Sequence, residues 1–362
     1  MALDLLTTLK EGLSDEAAGP RAAGIEIRQD LEPVAGLPVL PPSYEGPLEI
    51  HDRYVDGTPR KVIELDSVGS AANRIEEALL GLYEAGDYPL PVSSTTIKSG
   101  DESIRITTLE TPHRIFDAWI RLSASADDQD TDFEDSEHGR ELSLAHASAL
   151  DPVLETSAHD LLFGVWDSHR KGPNGQVRVG RALTTTLLGF DPIPQGRVAA
   201  RRDPVNLGEA SDLPKGEKRL SEQGLSSIPP QRVRGGVAIT EARYVGFLSF
   251  AALRRLRFAR YDPVSVRIML ACLGLYGVVT RIEAGWDLRA QCALAPQGDP
   301  AFTLVGPRGQ RDTMALSADE LKPLFHETVA SAGVEDRSVQ LYGSARLNSL
   351  VEKSIASSLK KD

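Results

Sequence analysis

The chain has 362 residues and a formal net charge of −12, with 52 acidic and 40 basic side chains. This length is enough to bury a core without disulfides, and the two cysteines, Cys272 and Cys292, belong to no CxxC or Cys/His cluster. A disulfide scaffold and a structural zinc site are therefore disfavoured, and a reducing cytoplasm is expected. Asp4 stands where a signal peptide would carry positive charge, and the longest apolar run, residues 268–279, is too short to cross a bilayer.

The charge is distributed unevenly along the chain. Residues 170–260 contain 17 Lys and Arg against 7 Asp and Glu, a net charge of +10, whereas the remainder carries −22. Such segregation creates a local positive field that suits a polyanion. The alternative is that these arginines lie on several unrelated faces, and charge alone gives the two interpretations equal weight.

The first half of the chain predicts alternating extended and helical segments. Residues 1–48 begin with a short amphipathic stretch and continue rich in proline and glycine, which predicts an extended arm lying over another part of the protein. Residues 61–66 alternate like a strand, residues 70–85 place apolar side chains on one helical face, and Thr111 begins a second helix. Seven acids within residues 127–137 indicate a solvated insertion.

The second half continues this mixture. Residues 161–166 and 177–190 predict paired strands, and residues 191–236, rich in proline, glycine and arginine, predict a long projecting loop or hairpin. The further expected elements are a strand at 237–250, a buried helix at 264–280, a helix from about Ser317 and a helix from about Ala345. Because strands and helices mix without strict βαβ regularity, an α+β fold is predicted.

The join between the predicted strand 61–66 and helix 70–85 is filled with small and polar residues. A helix N-terminus exposes unpaired N–H groups and a partial positive charge, so it suits anions. Ser70 is the predicted cap, and Asn73 and Arg74 add donors in the first turn, an arrangement suited to phosphate. Ordinary capping, with Arg74 paired to a neighbouring acid, is the alternative.

The sequence lacks several enzymatic signatures. It contains no GxxxxGK P-loop, no strand-GxGxxG-helix fingerprint and no GxSxG nucleophile elbow. The seven histidines never pair at metal-ligand spacing on one helix, so no metal and no cofactor are expected. Asp66, Asp117 and Asp167 could belong to a metal or acid/base site, but caps, turns and pairs with arginine explain each of them better.

The remaining signal is a set of basic residues. Arg178 and Arg181 are three apart on a predicted strand and so face opposite sides of it. Arg232 and Arg234 occupy alternate positions of an extended segment, and both can face the same run of phosphates. Singly, a surface ion pair is the simplest explanation for each arginine. As a group without matching acids nearby, they are better explained by phosphate neutralisation.

Several segments together resemble a known family. "LDSVGSAANRIEEAL" at 65–79 is similar to the signature of the backbone RAMP subunit of type I-U (also called I-G) CRISPR surveillance (Cascade) complexes, the Csb-one or Cas-seven-like family. Matches on both sides of it run in the family's order: "LDLLTTLK", "PPSY", "PHRIFDAWIRLS", "LLFGVWDSH", "RALTTTLLGFDP", "LSFAALRRLRF" and "GWDLRAQCAL". Gly69 and Ala71 depart from the bulkier polar residues of the family, and "TTT" at 184–186 replaces a "SEI"-like stretch.

The resemblance implies an α+β fold built on a modified RRM-like (ferredoxin-like) palm with finger and thumb insertions. The expected palm spans residues 49–300 and follows the N-terminal extended arm 1–48. Its insertions would be an acidic loop at 124–140 and a thumb-like basic loop at 192–236. Residues 301–362 would form a C-terminal α/β segment packed on the palm.

The resemblance also implies a function. Several copies would stack along CRISPR RNA and present it for pairing with target DNA in antiviral defence, without catalysis by this subunit. The expected partners are CRISPR RNA, target DNA through the guide, further copies of this chain, a fused Cas-five/Cas-six subunit, a large subunit and the recruited helicase-nuclease, with no membrane. The alternative is a metal-dependent endoribonuclease, because related backbone subunits of type III complexes cut RNA with a loop aspartate. The residues expected to bind RNA are Ser70, Asn73, Arg74, His113, Arg114, His169, Arg170, Lys171, Arg178, Arg181, Arg232, Arg234, Arg254 and Arg255.

Overall fold

The computed structural model describes residues 4–16, 19–42, 48–99, 102–170, 175–201, 204–205 and 228–358. Its class is α+β, as the sequence predicts. The helices are α1 (Leu5–Leu13), α2 (Val68–Glu84), α3 (Ala118–Arg121), α4 (Glu137–Leu144), α5 (Asp151–Thr156), α6 (Asp160–Phe163), α7 (Phe250–Leu253), α8 (Pro263–Glu283), α9 (Ala318–Ala332) and α10 (Ala345–Ser358).

The strands occupy four sheets in the described part of the chain. They are β1 (Gly24–Pro33), β2 (Ile50–Val55), β3 (Thr58–Asp66), β4 (Ser94–Ser99), β5 (Glu102–Thr107), β6 (Ser123–Ala124), β7 (Val165–Trp166), β8 (Arg178–Val179), β9 (Leu183–Phe190), β10 (Ile193–Arg201), β11 (Ile228–Ala238), β12 (Ala242–Ser249), β13 (Leu294–Pro296), β14 (Ala301–Val305), β15 (Arg311–Met314) and β16 (Gln340–Gly343). The largest sheet has the order β15-β14-β1-β12-β9-β3-β2, with β13 paired to β1.

Part of this sheet has a βαββαβ connectivity. In chain order the unit is β1, α2, β9, β12, α8 and β14, and its strands lie side by side as β14-β1-β12-β9 with every neighbouring pair antiparallel. This is the ferredoxin-like motif, so the sheet is consistent with the predicted RRM-like palm. The β2–β3 hairpin is inserted before α2 and extends the sheet beyond β9.

The strand β1 lies inside the sheet, between β12 and β14. Ile25, Ile27, Gln29 and Leu31 are buried, whereas the alternate residues Glu26, Arg28 and Asp30 are more exposed, so the strand has one core face. The extended arm predicted for residues 1–48 therefore includes a strand of the core, which its proline and glycine content concealed. Residues 43–47 of that arm lie outside the described residues.

The helix α8 forms the centre of the core. A Cβ atom on Gly277 would lie 2.9 Å from Ile75 Cγ2, so glycine allows α2 and α8 to approach closely. By length and composition, α8 is the helix among the described residues that could span a membrane, and 78% of the qualifying window is buried inside the protein. That burial is typical of a core helix, as the sequence predicts.

Two predicted elements differ from the structure because single residues interrupt them. The helix expected from Thr111 is a 3-10 turn at Arg114–Phe116 followed by α3, since Arg114 has a positive φ of 53° and Asp117 caps a new helix. The strand expected at 161–166 is α6 followed by β7, because Gly164, with a φ of 83°, ends the helix and turns the chain.

The two predicted insertions have regular structure where it is described. The acidic segment contains the 3-10 turn Phe133–Asp135 and leads into α4. The strands β10 and β11 form a two-stranded antiparallel ribbon within the predicted thumb-like loop. Arg60 of β3 pairs with both ends of this ribbon, Asp191 and Glu241, at 2.5 Å each. Residues 206–227 of the predicted loop lie outside the described residues.

The last part of the chain joins two sheets. The strands β14 and β15 belong to the main sheet, whereas β16 pairs with β4 and β6 in a four-stranded sheet of order β5-β4-β16-β6. The predicted starts of the last two helices are confirmed. Ser317 caps α9 in a capping box with Glu320, and α10 begins at Ala345.

Candidate nucleic-acid interface

The predicted anion site at the start of α2 has a different cap from the one expected. The helix begins at Val68, and the Ser67 hydroxyl oxygen accepts a hydrogen bond from the backbone N–H of Ser70 at 3.3 Å. Ser70 is therefore a first-turn residue and not the cap, because the chain turns helical two residues earlier than predicted. Asn73 is exposed on the second turn.

Arg74 is engaged with a buried carboxylate. Its Nε lies 3.1 Å from Asp66 Oδ2, and its Nη2 donates to the backbone oxygen of Leu288 at 3.3 Å. The Asp66 side chain is only 4% exposed, and burial raises its pKa while the charge of Arg74 opposes that shift. The alternative interpretation of Arg74, an ion pair with a neighbouring acid, is thus what the structure contains.

Arg114 lies inside the protein and not on its surface. Its guanidinium group makes two hydrogen bonds to the buried carboxylate of Glu76 on α2, at 2.7 and 2.9 Å. A third bond joins Nη1 to the backbone oxygen of Gly164 at 3.0 Å. The adjacent His113 is exposed. Arg114 therefore connects α2 to the residue before β7, and each of its three guanidinium nitrogens donates a hydrogen bond within the fold.

Arg181 lies beside this buried pair. A Cβ atom on Gly164 would lie 2.9 Å from Arg181 Cγ, so the two residues are packed together. Partial burial and the positive charge of Arg114 lower the pKa of Arg181, although Glu76 acts in the opposite direction. Arg181 is an exposed residue that forms no ion pair within the described part of the chain. It can neutralise an external anion.

The segment after β7 is held by one aspartate. The buried Asp167 accepts hydrogen bonds from the backbone N–H groups of His169 and Arg170 and from Arg170 Nε, the last at 2.7 Å. Arg170 also donates to the backbone oxygens of Glu134 and Gly139, at 3.0 Å each. The expectation that the basic residues lack acidic partners is wrong for Arg170. His169 is exposed, and Lys171 lies outside the described residues.

The strand β8 brings Arg178 opposite an aromatic residue that the sequence reasoning did not select. Arg178 is paired in register with Trp166, and its guanidinium carbon lies 5.4 Å from the centre of the indole ring. The Trp166 side chain is 50% exposed. A tryptophan and an arginine flanking a glycine-containing turn are the signal in the sequence that could have identified this pair.

Among the described residues, no contact joins the remaining predicted residues to Arg178, Arg181 or Trp166. Arg254 donates to the backbone oxygens of Gly12 and Ala22 near α1, and the exposed Arg255 donates to Ala251. The backbones of Arg232 and Arg234 pair with Val198 and Gly196 in the ribbon. Their side chains lie outside the described part of the structure.

The face of the main sheet that turns away from the helices carries paired charges. Arg243 lies between Asp30 and Asp56, at 2.9 and 3.3 Å, and Arg60 is neutralised by the two acids at the base of the ribbon. Both guanidinium groups lie within 5.1 Å of the centre of the Phe190 ring. Arg243 and Arg60 are thus already neutralised by carboxylates, whereas Arg181 beside α2 and Arg178 on β8 form no ion pair among the described residues.

Part of the chain is similar to a described protein family. Residues 25–193 match the family model described as CRISPR-associated protein GSU0053, over somewhat less than half of the chain. The matched segment runs from β1 to the first residue of β10 and includes α2, the Arg114–Glu76 pair and the β7–β8 hairpin. None of the curated proteins matches this chain. The match indicates a CRISPR-associated protein family and suggests a role in CRISPR defence.

Proposed function

We propose that this protein is a non-catalytic backbone subunit of a type I-U (I-G) CRISPR surveillance complex, of the Csb-one family, which binds CRISPR RNA. Copies of the chain assemble along the guide RNA and present it for pairing with target DNA. The observation that carries the proposal is the family-model match over residues 25–193. The subtype and the RNA-binding role rest on the finer resemblance of "LDSVGSAANRIEEAL" and the segments around it.

Two features of the molecule support this proposal. The βαββαβ sheet is an architecture that RNA-binding domains use, although a fold alone does not establish a function. The cations Arg178 and Arg181 form no ion pair in the described part of the chain, and they belong to a segment of net charge +10. Unpaired cations gain free energy by displacing counterions from RNA phosphates.

The proposed assembly takes place in the cytoplasm. Its components are CRISPR RNA, target DNA paired to the guide, neighbouring copies of this chain, a fused Cas-five/Cas-six subunit, a large subunit and the helicase-nuclease. In such an assembly base pairing reads the sequence, while the protein contacts the RNA backbone and its shape. The exposed residues Asn73, His113 and His169 are the proposed polar contacts that complement the arginines.

The endoribonuclease alternative requires an aspartate that is free to bind a metal. Asp167 is buried and bonded to Arg170, and Asp117 accepts hydrogen bonds from the backbone N–H groups of His113 and Trp119. Both carboxylates thus support local structure, so these two aspartates do not favour the alternative.

The test is RNA binding by the purified full-length chain over a range of salt concentrations, with guides of one length and scrambled sequences. We expect similar affinities for all sequences and a steep loss of affinity with salt, because phosphates supply the contacts. Preference for one sequence with a flat salt response would contradict the proposal. Cleavage of the bound RNA after addition of Mg²⁺ or Mn²⁺ would instead support the endoribonuclease.

A further inference from the structure

The β7–β8 hairpin is short, and hydrogen bonds to the residues on both sides of β7 attach it to the core. Gly164, immediately before β7, accepts the buried hydrogen bond from Arg114, and Asp167, immediately after it, is buried and bonded to Arg170. Two adjacent pairs, Val165 with Val179 and Trp166 with Arg178, form the hairpin itself. The backbone of Trp166 is therefore fixed from both sides.

The indole ring of Trp166 is fixed as well, yet half of it faces solvent. Its Nε1–H donates to Gln176 Oε1 at 3.2 Å, and the guanidinium carbon of Arg178 lies 5.4 Å from the ring centre. The side chain is 50% exposed, whereas Trp286 in the same protein is only 4% exposed. Exposing a large apolar ring in a rigid setting is unfavourable for the isolated chain, so the ring is suited to contact a ligand.

The surroundings of the ring are cationic and polar. Arg178 forms no ion pair among the described residues, because the nearby Asp167 is committed to Arg170. Next to Arg178 lies an open cleft of about 360 Å³, lined in part by His146, Ser148 and Gln176. The described residues that line this cleft include no Asp or Glu. The site thus combines an aromatic surface, a free positive charge and neutral hydrogen-bonding groups.

We infer that Trp166 and Arg178 form a stacking site for one unpaired base of single-stranded RNA, with the attached nucleotide entering the cleft beside His146. The inference rests on the proposed RNA-binding function and deepens it by naming the part of the RNA that is recognised. An indole ring stacks on the face of any base, so the contact is tolerant of sequence. Arg178 neutralises the adjoining phosphate.

A protein partner could also cover an exposed tryptophan, but the observations favour RNA. An apolar docking surface would extend over several exposed apolar residues, whereas the Trp166 ring contacts Arg178 and Gln176. Three of the four apolar residues that line the cleft are buried, namely Ala145, Leu150 and Val177. An unpaired arginine beside a single aromatic ring is the combination that single-stranded nucleic acids require. Contact with another protein is one outcome of the test below.

The test uses the full-length chain and a short unstructured RNA. The protein has three tryptophans, so the difference between the fluorescence of the wild type and of Trp166→Phe isolates Trp166. We expect RNA to quench this difference signal, because stacked bases quench indole emission. Trp166→Ala should weaken RNA binding about 5- to 150-fold without changing the salt slope, and Trp166→Phe should retain most of the affinity. An RNA with abasic positions should bind the wild type about as weakly as intact RNA binds Trp166→Ala.

The matched control is Tyr54→Ala, because Tyr54 is 82% exposed on β2 and lies outside the hairpin. This variant should bind RNA like the wild type. The stacking site would be overturned if RNA bound the wild type without quenching the Trp166 signal and bound Trp166→Ala with unchanged affinity. The proposed function would then remain intact. Loss of binding to other subunits in Trp166→Ala, at unchanged RNA affinity, would overturn it in favour of a protein contact. Absence of any RNA binding by the wild type would overturn the proposed function itself, together with this inference.

Discussion

The carboxylate of Glu76 and the guanidinium group of Arg114 form a bidentate ion pair inside the protein, with distances of 2.7 and 2.9 Å. Removing one partner of such a pair leaves the other charge buried and unpaired. Arg114→Ala should therefore lower the free energy of unfolding by about 3–5 kcal/mol. Urea denaturation of the purified protein measures this change.

Arg255→Ala is the control for that experiment, since Arg255 is exposed and, among the described residues, donates from its side chain to the backbone oxygen of Ala251 alone. Its effect should stay within about 0.5 kcal/mol. If Arg114→Ala kept the wild-type stability but lost RNA affinity, Arg114 would contact RNA and its buried position would be incorrect.

Arg181 should behave in the opposite way. It is exposed, has no ion pair in the described part of the chain, and has its pKa lowered by partial burial and by Arg114. Arg181→Gln should leave stability within about 0.5 kcal/mol of the wild type, since no carboxylate loses its partner. RNA affinity should fall for all sequences, and the slope of log K against log salt should decrease by about 1. An unchanged slope would show that Arg181 contacts no phosphate.

Asn73 and Arg74 are adjacent on α2 but should give different results. Arg74→Ala leaves the buried Asp66 without its cation and should cost about 1.5–3 kcal/mol of stability. Asn73 is exposed, so Asn73→Ala should keep the wild-type melting temperature and lose RNA affinity. Thermal melts together with RNA affinity per folded molecule separate the two effects. Equal melting temperatures for both variants would show that Asp66 does not depend on Arg74.

Asp160 should make stability depend on pH. It is completely buried, and burial raises the pKa of its carboxyl group to about 7, although a hydrogen bond from Ser157 acts against this shift. A raised pKa in the folded state means that the folded protein binds a proton more tightly than the unfolded chain does. The contribution of Asp160 is therefore fully present below about pH 3.8, the ordinary value for the carboxyl group, and is lost as the pH rises to about 7.

Asp160→Asn removes this titration. The difference in stability between Asp160→Asn and the wild type should shift in favour of the variant between about pH 4 and pH 7, by at most about 1.4 kcal/mol per pH unit. His159 lies beside this carboxylate, with Nε2 3.4 Å from Asp160 Oδ1, but burial lowers the pKa of His159 to about 3, below the pH range in which the two proteins are compared. Urea denaturation at several pH values gives the curve, and a difference that does not vary with pH would contradict the raised pKa.

Arg60 should control the base of the ribbon. It binds Asp191 before β10 and Glu241 after β11, and so holds the two ends of the ribbon together. Arg60→Ala should speed hydrogen exchange of amides in β10 and the adjacent end of β11, while amides of α8 stay protected, because the ribbon lies outside the core. Exchange measured by mass spectrometry on the free protein tests this. The exposed Arg53 on β2, which has no ion pair among the described residues, provides the control variant Arg53→Ala.

Local sequence signals determined much of the fold. The apolar run at 268–279 predicted the buried helix α8, and a helix was predicted from about Ser317, the residue that caps α9, because such signals depend on residues close together in the chain. Where a single residue with a positive φ interrupts a pattern, as Arg114 and Gly164 do, periodicity failed to predict the break.

Only the tertiary structure decided which arginines remain available for a ligand. The local sequence pattern around an arginine outside an apolar face is the same in two cases. The side chain can face solvent, or it can face a carboxylate from another element. Arg114 meets Glu76, 38 positions earlier, and becomes part of the core, whereas Arg181 packs beside that pair and stays unpaired within the described residues. The position of Trp166 was decided in the same way, because its exposure follows from a hairpin anchored by Arg114 and Asp167. Charge and composition set the number of cations, but packing between distant segments determines which of them are neutralised.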